Sequence, residues 1–142
     1  MENPPRRHSL YVALFVAITW GAVTFGVAGI LAVILDRDPV QTPVSPYVGL
    51  VGLALAGVAV WLAVGLTVRA RTPWIGAIAA IAAVYFVIVG AALIQSFRLF
   101  AEQATSPFVI AAALLAAVAV IGTWLALRRP PNVGLSGRAP RS

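Results

Sequence analysis

The sequence predicts an all-α integral membrane protein, an antiparallel bundle of four transmembrane helices with both termini cytoplasmic. Three observations lead there. Four long runs carry no charged residue, at 10–35, 47–68, 74–94 and 108–127. A Ser-Pro or Thr-Pro pair stands just before three of them, at Ser45-Pro46, Thr72-Pro73 and Ser106-Pro107. Eight of the ten arginines fall on one side of the membrane if the chain threads back and forth through these runs.

Composition explains why lipid is the expected solvent. Of 142 residues, 61% are apolar and only 10% charged, with a mean hydropathy of +0.98. A soluble domain is closer to half apolar and a quarter charged, and a chain this short cannot bury such an excess. Disorder is excluded by the opposite test, because disordered chains are poor in apolar residues. Every basic residue is Arg, and Ala, Val and Gly are abundant. That bias points to a GC-rich, bacterial genome. The net charge of +6 sits in pairs at the ends of apolar runs, so it reads as membrane-flanking charge and not as a nucleic-acid surface. Absent cysteine removes disulfides, thiolate metal sites and palmitoylation.

In chain order, residues 1–9 form a basic cytoplasmic segment carrying Arg6 and Arg7. The four-helix domain occupies 10–129. A span needs about 20 apolar residues to cross roughly 30 Å of hydrocarbon, and the first run exceeds this, so it should tilt or project into the interface. It is too long for a signal-peptide core and ends in Leu35-Asp36-Arg37-Asp38-Pro39, which is no cleavage site. The loop at 36–45 holds Pro39 and Pro43 and should be extended. Each Ser/Thr-Pro pair supplies a capping hydroxyl and a first helical residue with no orphan N–H. The third helix should run on past the membrane surface to about Gln103, since 95–103 lacks Gly and Pro, and Arg98 and Glu102 form an i,i+4 pair. Pro130-Pro131 stops the fourth helix, leaving a disordered basic tail at 130–142.

The arginines set the orientation. Arg6, Arg7, Arg69, Arg71, Arg128 and Arg129 flank the spans on the side that also holds Arg138 and Arg141, against Arg37 and Arg98 opposite. The positive-inside rule makes that side cytoplasmic. Tyr11, Trp74 and Trp124 near the cytoplasmic ends, with Tyr47 and Phe108 opposite, suit interfacial aromatic belts. Ser45-Pro46-Tyr47-Val48 and Ser106-Pro107-Phe108-Val109 look alike, but shared helix-start chemistry explains them more simply than a duplicated hairpin.

Small residues recur on one face of each span, at spacings of three and four. The helix-packing candidates are Ala17 and Gly21, Gly52 and Ala56, Gly76, Ala80 and Gly90, and Ala116 and Ala119, where missing side chains let backbones approach. Packing within the chain is the simpler expectation, and a partner-binding groove the alternative.

Reactive chemistry is scarce. No span contains an ionisable residue, whereas ion-coupled carriers need one at membrane depth. Small four-span multidrug exporters are similar in size but use an acidic residue in their first span, where this chain has only Thr19 and Thr24. His8 cannot by itself ligate haem or metal, and Asp36 and Asp38 lack a ligand set. Ser96 has no base in reach. Neither a catalytic site, a cofactor nor a metal is expected. Trp20, Trp61 and Tyr85 lie within spans, where each N–H or O–H needs a partner such as Thr19, Thr24 or a backbone carbonyl; they could also line a lipid or quinone site.

By size, four spans, Arg/Ala/Val bias and lack of embedded charge, the whole chain resembles the small four-span actinobacterial membrane proteins of unknown function. This resemblance implies a multi-pass protein of the bacterial cell membrane and transfers no site residues. The function expected first is a non-catalytic accessory or scaffold subunit acting through helix–helix contacts. The alternative is a small oligomeric channel, or a lipid/hydrophobic-molecule carrier without an ion-coupling residue. The partners expected are the bilayer, anionic headgroups bound by cytoplasmic Arg, and a membrane-protein partner or a second copy of the chain.

Overall fold

The structure, a computed structural model, describes residues 6–41, 46–68 and 70–128. The expected cap at Ser45, the flanking Arg69 and Arg129, and the tail at 130–142 lie outside the described residues. Within them the chain is all-helical. The elements are α1 (Arg6–Leu35), α2 (Pro46–Thr67), α3 (Trp74–Gln95), α4 (Phe97–Ala104) and α5 (Pro107–Arg128). Four of the five, all but α4, are long and apolar enough to cross a membrane.

These four helices pack in a circuit, α1 on α2, α2 on α3, α3 on α5 and α5 on α1, with α2 also meeting α5 across the middle. The core is built from small and β-branched residues. Val60, Val64, Val84 and Val120 are fully buried, among Ala56, Ala80, Ala113 and Ala116. Many of the large apolar side chains point outward, with Phe15, Phe25, Ile75, Phe86 and Ile94 all at least 70% exposed. So much continuous apolar surface would drive association in water. In lipid it is the natural exterior, because lipid tails are as apolar as Leu and helices associate through close backbone packing instead.

Helix ends show local chemistry at work. Asp36, just past α1, has a φ of 46°, and Arg37 N donates to Ala32 O at 3.1 Å. This is the six-to-one closure of a Schellman ending, with Asp in the left-handed position usually held by Gly. Pro107 begins α5 where the Ser-Pro pair placed it, with Ile110 N donating to Ser106 O at 3.2 Å. The start of α3 differs from expectation. The helix opens at Trp74, Pro73 stands at the cap with no side-chain hydrogen bond, and Thr72 is one residue too early to cap it.

The larger difference lies after α3. The continuous helix expected to reach about Gln103 ends instead at Gln95. Ser96 is extended, its N–H donates to Ala92 O at 3.0 Å, and its Oγ accepts from Leu99 N at 3.1 Å. One residue therefore closes α3 and caps α4, because a Ser hydroxyl offers the backbone an alternative to the next helical bond. The gain that favours the break is tertiary. Tyr85, from the middle of α3, donates its hydroxyl to Ala104 O at 2.8 Å. In a straight helix residues so far apart in sequence would be separated by roughly 28 Å. α4 thus lies back against α3, burying Leu99 and Gln103.

Candidate functional site: a capped apolar cavity

The fold leaves a cavity of about 450 Å³ at the end of the bundle where the first loop and α4 lie, open to the exterior beside Phe25 and Leu50. All five helices contribute to its wall. α1 supplies Thr24 and Ala28, α2 Gly49 and Gly52, α3 Ile88 and Ala91, and α5 Phe108 and Ala112. Small residues create the space, since Gly or Ala from four helices faces inward at this level. Toward the other end the middle is filled by Val60, Val64 and Val84.

Its roof is Pro39 and Val40 from the first loop with Leu99 and Gln103 from α4. Two hydrogen bonds strap these together. Gln41 N donates to Glu102 Oε1 at 2.6 Å, and Gln103 Nε2 donates to Pro39 O at 3.3 Å. The break at Ser96 is what turns Leu99 and Gln103 over the cavity. Glu102, read from sequence as the partner of Arg98, is in the structure a tie to the loop.

Polar groups on the walls are few. Among the described residues the lining includes no ionisable side chain, and its polar side chains are Thr24 and Gln103. Thr24 is 8% exposed, and its Oγ1 is buried with no hydrogen-bond partner. It is the exception among its kind. Thr19, Thr67, Thr105 and Thr123 each donate to the carbonyl four residues earlier, the usual way for a helical Thr to satisfy its hydroxyl. A buried orphan hydroxyl costs about 1–3 kcal/mol.

The three polar aromatics deep in the spans, Trp20, Trp61 and Tyr85, each find a backbone carbonyl. Trp20 Nε1 donates to Ala112 O at 3.2 Å, Trp61 Nε1 to Leu10 O at 3.3 Å, and Tyr85 to Ala104 O. Trp20 thereby ties α1 to α5 beside the cavity, since Ala112 is also part of its wall. Thr19 and Thr24 serve none of them.

The helix-packing candidates divide by environment. Ala17, Ala56, Ala80 and Ala116 are buried in the core, and Ala119 packs against it. Among the described glycines only Gly76 stands at a close approach, where an added Cβ would run into Thr67 Oγ1 and come within 2.8 Å of Thr67 Cβ. Gly52 lines the cavity, and a Cβ there would meet only Ala91 Cβ at 4.0 Å. At Gly21 and Gly90 a Cβ would meet nothing within 4 Å.

Of the flanking arginines with described side chains, Arg71 is exposed, while Arg128 is engaged. Its guanidinium donates to Ala70 O at 2.6 Å and lies 4.2 Å from the centre of the Trp124 ring. Trp124 Nε1 donates to the same carbonyl at 3.2 Å. This clasp between the α2–α3 connection and the end of α5 was not legible in the sequence, where both residues read as interfacial anchors. Arg6 and Arg7 fall in the first turn of α1.

Fold and site together define a class: an all-helical protein with four candidate membrane spans around a roofed apolar cavity. No protein-family model matches the chain, and no curated protein or solved structure does so either.

Proposed function

We propose that this is a multi-pass protein of a bacterial cytoplasmic membrane that holds an uncharged hydrophobic molecule inside the bundle without transforming it. The observation carrying this reading is the roofed cavity. Its volume of about 450 Å³ falls within the range of ligand pockets, about 300–1,000 Å³. The apolar wall suits a lipophile, and lack of ionisable lining suits a neutral one, because a buried unpaired charge is costly. This favours the hydrophobic-molecule carrier alternative over the accessory-subunit expectation, which no comparable feature supports.

The arrangement in the membrane follows the same reading. Neighbouring helices are antiparallel, as supported by Gly52 near the start of α2 facing Ala91 near the end of α3, and by Trp61 meeting Leu10. Both termini are cytoplasmic by the arginine bias, which places the roof on the opposite face. Cytoplasmic arginines attract anionic headgroups.

Protein reconstituted in lipid nanodiscs and studied by native mass spectrometry tests the proposal. Wild type should carry a neutral lipophile or take up dodecane on titration. Gly52→Leu, which extends a side chain from the cavity wall, should lose that binding with its helical content retained. A wild type that carries nothing and takes up no dodecane overturns the reading. Stoichiometric capture of a protein partner by that same empty wild type would restore the accessory-subunit expectation.

A further inference from the structure

We propose that Thr24 is the hydrogen-bond donor of this cavity, and that the ligand is a neutral lipophile bearing a carbonyl-type acceptor. The proposal rests on the cavity being a binding site and adds the ligand's chemical class.

Thr24 lines the cavity, is 8% exposed, and holds a buried Oγ1 that bonds to nothing. Four other threonines satisfy their hydroxyls by back-bonding. For Thr24 the equivalent acceptor is Trp20 O, one turn away on the same helix, yet that bond is not made. A hydroxyl has one proton to give, and leaving it without an acceptor in an apolar wall is the expensive state. An incoming acceptor removes that cost.

Water fills the role poorly. A buried water needs two to four polar partners, while the described lining offers two polar side chains, Thr24 on the wall and Gln103 in the roof, where it is bonded to Pro39 O. The ligand's remaining surface must be apolar, because Leu53 and Ile88 line the cavity with Thr24 and Leu99 closes it at the roof. It must also be uncharged, for want of a counter-ion among the described lining residues. Depth narrows the class further. Thr24 lies eleven residues before the end of α1, roughly 16 Å along the helix from Leu35. A group whose polar end must stay at the membrane surface cannot reach it, whereas a ketone or quinone oxygen on a hydrophobic frame can.

The test compares two probes of equal length, methyl decyl ketone and dodecane, on protein in lipid nanodiscs. Affinity is measured by titration, and the isotope-labelled carbonyl is followed by infrared spectroscopy. Wild type should bind the ketone about three- to tenfold more tightly than the alkane, the worth of one hydrogen bond. Its carbonyl band should shift to lower frequency on binding. Thr24→Val keeps the side-chain shape, so it should bind both probes equally and show no shift, while Thr24→Ser restores both. A ketone preference and band shift that persist in Thr24→Val overturn the donor assignment and leave the cavity reading intact. Equal binding of both probes by wild type overturns it too. Failure of wild type to bind either probe removes the cavity reading and this inference with it.

Discussion

Replacing Gly76 by Ala should destabilise the protein, although Ala is the better helix former. The added Cβ would collide with Thr67 Oγ1 and lie 2.8 Å from both Thr67 Cβ and Cγ2. Thr67 cannot easily yield. It is 3% exposed and its hydroxyl is held by Ala63 O at 2.6 Å. Either that bond breaks or the end of α2 moves off α3. Overpacking of this kind costs about 1–3 kcal/mol, against which helix propensity returns about 1 kcal/mol. The net loss is about 1 kcal/mol. Gly52→Ala makes a useful contrast, because its Cβ meets only Ala91 Cβ at an ordinary 4.0 Å. It keeps the propensity gain without the clash, so the two variants should differ by about 2 kcal/mol. For a chain of this size that is roughly 5–10 °C in melting temperature, readable by circular dichroism in one detergent. Adding Thr67→Ala to Gly76→Ala removes Oγ1 and Cγ2 and should recover part of the loss, the 2.8 Å approach of the two Cβ atoms remaining. If Gly76→Ala melts at or above Gly52→Ala, the close approach of α2 and α3 is not as described.

Ser96→Ala should free the first turn of α4, costing about 1 kcal/mol for the lost cap and speeding amide exchange at Leu99, whose N–H the hydroxyl accepts; unchanged exchange there would contradict the capping role. Arg128→Ala removes both a hydrogen bond to Ala70 O and the stacking on Trp124. It should cost about 1–2 kcal/mol, with Trp124→Phe, which loses one hydrogen bond, costing about half as much; equal stability of both variants and wild type in reversible unfolding would show that the clasp holds nothing. Single cysteines at Val40, Ala70 and Thr105, probed with an impermeant thiol reagent, should react from outside at Val40 and Thr105 only. Labelling of Ala70 with protection of Val40 would invert the topology.

Helix identity was legible in the sequence because it depends on terms that are local and sum along the chain. Uninterrupted hydropathy over about 20 residues suffices for a span, and the Pro107 start needed only its neighbours. The all-helical fold with four long apolar helices follows from these alone. Small-residue spacing conveyed less. A missing Cβ looks the same in sequence whether another helix fills its place, as at Gly76, whether a cavity does, as at Gly52, or whether nothing lies near, as at Gly90. Which applies is settled by how four helix faces meet, and that geometry is shared among residues far apart in the chain. The turn at Ser96 is the sharpest case. Locally, the stretch without Gly or Pro and the Arg98–Glu102 spacing favour one continuous helix. Burial of Leu99 and Gln103, the Tyr85–Ala104 bond and the strap to the first loop exist only once α4 folds back. The break leaves few backbone bonds unmade, because the Ser96 hydroxyl and the helix ends satisfy the groups it frees. Contacts available only in the assembled bundle then decide, and they place the roof over the cavity whose one unpartnered hydroxyl belongs to Thr24.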